Sequence, residues 1–151
     1  MKNLLAFPVI ISAFALLSSC GNTTKTANQQ QAEVKPANMK CYQAIDGADT
    51  AHLSVGSVKD KVMGELSFNF KEKQNNNGTI EGSYHGDTLF VDYSYKINGT
   101  NFKNPLVFLK EDSTFYQGYG TIITYLGRTS FDKKAPIDFT KGFVFKQTDC
   151  K

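Results

Sequence analysis

From Met39 onward the chain alternates apolar and polar residues with a period of two, and no later segment holds a helical period. Val62, Gly64, Leu66, Phe68 and Phe70 alternate with Met63, Glu65, Ser67, Asn69 and Lys71. Ile80, Gly82 and Tyr84 alternate with Thr79, Glu81 and Ser83, and Leu89, Val91, Tyr93, Tyr95 and Ile97 with mostly polar partners. Successive side chains of a strand point to opposite faces, so each run predicts a strand buried on one face. Phe90 is the exception, an apolar residue on an outer face. Turn clusters punctuate the runs at Asp46-Gly47-Ala48-Asp49, Lys59-Asp60-Lys61, Gln74 to Gly78, His85-Gly86-Asp87, Asn98-Gly99 and Glu111-Asp112-Ser113. Asn98-Gly99 suits a type I′ hairpin, because both residues tolerate positive φ.

The spacing predicts about eight strands, near 40–45, 50–58, 62–71, 79–84, 88–97, 101–110, 114–126 and 143–149. Residues 127–142 read as irregular, with room for one helical turn. The expected fold class is all-β: a single antiparallel up-and-down meander closing into a small barrel, which removes both exposed edges. Inward Gly64 and Gly82 kink strands or leave interior room. The aromatic stripes either fill the barrel or line a cavity for one small ligand. The inner face of the stretch Tyr116, Gly118, Tyr119 and Gly120 has no clear alternation.

Ahead of the domain stands an address. Lys2 is a basic start, Leu4 to Leu17 is a short apolar run, and Leu17-Ser18-Ser19-Cys20 follows directly. The run is shorter than the roughly 20 residues that span a bilayer, but it suits a secretory signal. The quartet resembles a bacterial lipobox, which implies cleavage before Cys20 and diacylglycerol on its thiol. The expected divisions are residues 1–19 as signal peptide, 20–38 as lipidated Cys and flexible tether, and 39–151 as barrel domain. The tether has no aromatic residue and too little apolar surface to fold, and would reach roughly 20–25 Å as a coil. Lipid is the expected sole anchor. No acidic cluster follows Cys20, since the first acid is Glu33, so the expected location is the periplasmic face of the outer membrane.

Two cysteines then remain, Cys41 and Cys150, an even pair for an oxidising compartment. They bracket the domain. A disulfide between them would set the first strand beside the last, as closure requires; the alternative is two free buried thiols.

Catalytic chemistry is scarce. No GxSxG, HExxH, CxxC, P-loop or GxGxxG occurs, Trp is absent and His52 and His85 are the two histidines. His52 falls on a polar strand face and His85 in a turn. Ser83, His85 and Asp87 are close in sequence, but a strand-turn-strand does not converge them as a triad. Glu65, Glu81 and Asp92 fall on the outer face, as solvated charges do. The net charge of +3 comes without a basic cluster and argues against nucleic acid as a partner. The expectation is no catalytic residue, no cofactor and no metal. Asp49-Thr50-Ala51, Asp87-Thr88-Leu89 and Asp112-Ser113-Thr114 share a pattern similar to the O-glycosylation motif of Bacteroidota envelope proteins. Thr50, Thr88 and Ser113 are therefore candidate acceptors, set against a plain reading as turn caps.

The stretch GELSFNFKEKQNNNGTIEGSYHGDTLFVD (Gly64 to Asp92), with Cys41-Tyr42 and Asp149-Cys150 at the ends, resembles small lipoproteins of the Bacteroidota, a family with no assigned activity. More distantly, the meander is similar to calycin barrels such as lipocalins and avidins, though it lacks the lipocalin Gly-x-Trp signature. The expected function is a membrane-anchored, non-enzymatic module that binds a small apolar or lipidic ligand. The alternative is a protein-interaction or inhibitor module of the envelope with a filled barrel. An interior void favours the first, and a filled barrel with an apolar patch around Phe90 the second.

Overall fold

The computed structural model describes residues 36–150, which lie within one compact unit, Glu33–Lys151. The expectations for the signal peptide, Cys20 and most of the tether lie outside the described residues. The described residues form eleven strands and no helix: β1 (Ala37–Asp46), β2 (Asp49–Val58), β3 (Lys61–Asn69), β4 (Asn76–His85), β5 (Thr88–Ile97), β6 (Thr100–Glu111), β7 (Thr114–Gly120), β8 (Ile122–Tyr125), β9 (Arg128–Phe131), β10 (Ile137–Asp138) and β11 (Val144–Thr148). The first strand starts at Ala37, two residues earlier than the composition suggested, with Asn38 at a φ of 53° where the β1–β2 register shifts.

Strands β1 to β7 form an antiparallel meander. Strand β11 closes it, pairing β7 through Phe145↔Phe115 and β1 through Tyr42↔Gln147. The result is an eight-stranded closed barrel of β1–β7 and β11. The Cys41–Cys150 disulfide ties the same seam, with Cα atoms 5.1 Å apart, inside the usual range. Asn98 and Gly99 have φ of 49° and 81°, the double positive of a type I′ turn.

Between β7 and β11 the expectation needs correction. The anticipated strand over 114–126 ends at Gly120, and 127–142 is not an irregular stretch with a helical turn. Strands β8 and β9 pair as a separate hairpin, and β10 pairs the end of β7 through Ile137↔Gly120 and Asp138↔Tyr119. The short, interrupted alternation of this segment reflects its placement: the β8–β9 hairpin stays outside the main sheet, and β10 joins only the end of β7.

The inward residues make one buried cluster: Tyr42, Ala44, Ala51, Leu53, Val55, Val62, Leu66, Phe68, Ile80, Leu89, Val91, Tyr93, Phe108, Phe115 and Phe145. Burying a Leu, Ile or Phe is worth roughly 1.5–3 kcal/mol, so this stripe is what specifies the sheet. Gly64 bends the sheet and leaves no void, because a Cβ there would run into the Ser54 carbonyl.

Candidate functional site

The interior is occupied. At one end of the barrel Phe108 packs edge-on against Phe115 and Phe145, and Tyr42 against Phe115. At the other, Tyr93 stacks on Tyr95 with centroids 4.7 Å apart, and Tyr95 on Phe102 at 5.5 Å. Phe68 stacks on Phe70, and both meet Phe143. The phenols in this layer have partners: Tyr93 Oη donates to Asn76 Oδ1 at 2.7 Å, and Asn104 Nδ2 donates to Tyr95 Oη at 2.9 Å. Burial, then the neighbouring Tyr95, pushes the Tyr93 phenol up to about 12, so it stays a donor. Strand β7 turns Phe115 and Gln117 inward, which settles the face that the glycine-tyrosine pattern left open. Gln117 faces Phe108, and its Oε1 is buried without a hydrogen-bond partner.

Three cavities lie on the outside of the wall. One, of about 420 Å³, is lined by His85, Phe90, Ser130, Phe131, Asp132, Lys133, Ala135 and Ile137. Its floor is the outer face of β4 and β5, and its roof is the segment after β8. Phe90, the outward apolar anomaly, is the keystone. His85 meets it edge-on at 5.6 Å, and Phe131 meets it at 6.3 Å from the opposite element. Val107, outward and opposite both Phe90 and Gly118, is fully buried yet outside the inner cluster. A second, exterior core therefore exists. Gly118 makes it possible: a Cβ there would stand 2.6 Å from Ile137 and Phe139. With no side chain at 118, those two residues seat directly on β7.

Local turns hold the roof in shape. Asp132 N donates to the Thr121 carbonyl at 2.8 Å, and Asp132 Oδ1 accepts from Lys134 N at 2.9 Å. Asp138 Oδ1 accepts from Thr140 N and Oγ1 at 2.9 and 2.6 Å, and Asp138 pairs with Lys141 at 3.1 Å. Those hydrogen bonds from Thr140, with help from Lys141, hold its carboxyl down at about 2. Lys133, the cation lining the cavity, has no salt bridge among the described residues. A smaller cavity of about 190 Å³ adjoins on the far side of the Phe90–Phe131 contact, against Gly82, Pro105 and Thr129.

A third cavity, about 500 Å³, is a polar groove on the outer face of β1–β4, where His52, Ser54, Glu65, Ser67, Asn77 and Thr79 face solvent. His52 is exposed there, as the alternation predicts. Glu81 and Asp92 are cross-strand neighbours on the outer face, and each takes a lysine: Glu81 pairs with Lys61, and Asp92 with Lys103 at 2.9 Å. No hydrogen bond joins Ser83, His85 and Asp87 among the described residues. No group of three His, Cys, Asp or Glu able to hold a metal occurs among them either. Thr50 and Thr88 are half-buried at strand starts, and Ser113 is exposed in the β6–β7 turn.

The site was half visible in the sequence. Phe90 stood out, but Phe131, Ala135 and Ile137 did not, because their partner is a strand about 40 residues earlier. No protein-family profile, curated protein or solved structure matches the chain.

Proposed function

We propose that the protein is a non-enzymatic binding module for a small apolar or lipidic ligand, and that the ligand sits on the barrel wall, not in the barrel. The carrying observation is the apolar cavity roofed by Phe131, Ala135 and Ile137 over Phe90. Its volume, about 420 Å³, falls within the range of small-molecule sites, and apolar walls with few polar groups are their usual lining. Lys133 and His85 offer cationic and hydrogen-bonding contacts, which favours an amphiphile with an acidic head. On this reading the chain is one of the small Bacteroidota lipoproteins, acylated at Cys20 and held at the periplasmic face of the outer membrane.

Decanoate and 1-anilinonaphthalene-8-sulfonate are suitable probes. Fluorescence titration of the sulfonate, with displacement by decanoate, should saturate at one site. Ala135→Phe should fill the cavity and abolish both signals while the far-UV spectrum stays unchanged. Probe binding that survives Ala135→Phe would sink the wall-site reading. For the anchor, Cys20→Ala should release the chain from the membrane fraction, and unchanged membrane association would count against it.

The filled interior also supports the second reading, an envelope interaction or inhibitor module. Failure of both probes to bind the wild-type chain would favour it.

A further inference from the structure

Beyond the wall cavity, the β8–β9 hairpin carries the most concentrated exposed apolar surface of the described residues. Ile122, Ile123, Tyr125 and Leu126 are 50%, 43%, 74% and 86% exposed, on both faces and at the tip of one short ribbon. At its base Phe131 packs on Phe90. Its tip turn is Leu126-Gly127, with φ of 48° and 75°. The same two-residue turn joins β5 to β6, and there it is built from Asn98-Gly99. Asn adopts a left-handed φ readily, whereas a bulky Leu does so under strain. The hairpin thus holds a large apolar side chain at its most exposed point, in a conformation that disfavours it.

Charge identifies what meets that tip. Arg128 follows it directly, and Lys133 and Lys134 follow β9. None of the three makes a salt bridge among the described residues. The two acids of the segment are engaged at home: Asp132 caps the Lys134 amide, and Asp138 pairs with Lys141. Exposed apolar side chains on a hairpin flanked in sequence by cations without salt bridges fit an anionic lipid surface, and Tyr is a residue of the membrane–water boundary.

We propose that the β8–β9 hairpin dips into an anionic bilayer, with Tyr125 and Leu126 at the acyl boundary and Arg128 and Lys134 at the headgroups. Insertion stops at that depth. The outer edge of β8 has no strand partner among the described residues, and its free backbone groups cannot enter hydrocarbon. This contact is separate from the ligand cavity, and it would orient a lipid-tethered barrel on the membrane that the tether keeps within reach.

The test uses the compact unit Glu33–Lys151, which carries its own closed sheet, core and disulfide and no acylated Cys20. Cosedimentation is measured with phosphatidylcholine vesicles and with mixed phosphatidylcholine–phosphatidylglycerol vesicles. The wild-type unit should partition onto the mixed vesicles, and added salt should weaken it. Tyr125→Ser with Leu126→Asn should lower the partition coefficient about tenfold or more, since two apolar side chains leave the contact. Asn suits the turn, so thermal stability should not fall. Arg128→Glu with Lys134→Glu should remove the preference for phosphatidylglycerol. Absence of partitioning, partitioning indifferent to phosphatidylglycerol, or partitioning that survives the tip variant overturns the proposal. A lipid-free dimer that the tip variant dissolves also overturns it, in favour of self-association. Probe binding to the wall cavity is read without vesicles on the same variants and should be unchanged, so the two readings fail separately.

Discussion

Among the described residues Gln117 is the one buried polar side chain, on an inner face made mostly of apolar side chains. Its backbone is well used: N donates to the Phe143 carbonyl at 3.0 Å, where β11 begins to close the barrel. Its side-chain carbonyl is not, and an orphaned buried acceptor costs about 1–3 kcal/mol relative to a satisfied one. Gln117→Leu keeps the approximate volume and removes the orphan. It should raise the urea midpoint, by about 1 kcal/mol of stability, at unchanged slope. A lowered midpoint would mean that Oε1 is satisfied in solution by a buried water or ligand, and would make the inner wall near Phe108 a site in its own right. Tyr93 and Tyr95 show the opposite case at the same scale, polar tips carried into an aromatic layer with Asn76 and Asn104 supplied to meet them.

At the scale of elements, β7 is the strand on which the molecule turns. One edge pairs with β6, and the other is shared between β11 at Thr114–Tyr116 and β10 at Tyr119–Gly120. Its inner face serves the barrel through Phe115 and Gln117. Its outer face serves the exterior core, because Gly118 lets Ile137 and Phe139 settle onto it. Gly118→Val should therefore act outward only. It should expose the 130–139 segment to protease, empty the wall cavity of probe and cost about 1–3 kcal/mol, with the barrel's far-UV signal intact. Loss of strand signal along with the roof would show that the exterior core is required for the barrel, not laid upon it.

Closure is a property of the whole molecule. Strands β1 and β11 are distant in sequence, so their hydrogen-bonded seam carries the loop-closure cost of nearly the whole domain. The disulfide joins residues 109 apart across that seam. In the chain-entropy account a loop of that length is worth up to about 4.7 kcal/mol, most of it a constraint on the unfolded chain. Cys150→Ser should lower stability by roughly 2–5 kcal/mol, read by thermal or urea unfolding, while strand content at low temperature stays the same. A collapse of the strand signal in native buffer would mean that the covalent link, not the stripe of inward side chains, determines the sheet.

What the sequence determined by itself was everything with a local cause. A period of two writes a strand's buried face residue by residue, so β2 to β6 lie close to where alternation puts them, and Asn98-Gly99 marks its own turn through the φ it tolerates. The cysteine pair at the domain ends carried the closure, since two thiols in an even count bracket nearly all of the periodic sequence. What tertiary structure alone decided was the outer wall. Phe90 looked misplaced because its partners, Phe131 and Ile137, come from a segment whose own pattern is too short to read. The filling of the interior was likewise undecidable from alternation, which says that a residue points inward but not how much space the facing residues leave. Gly64 is the case in point: in sequence it reads equally as a vacancy or a bend, and the Ser54 carbonyl lying where its Cβ would be makes it a bend. Packing is a relation among residues far apart in the chain, and local periodicity carries no term for it.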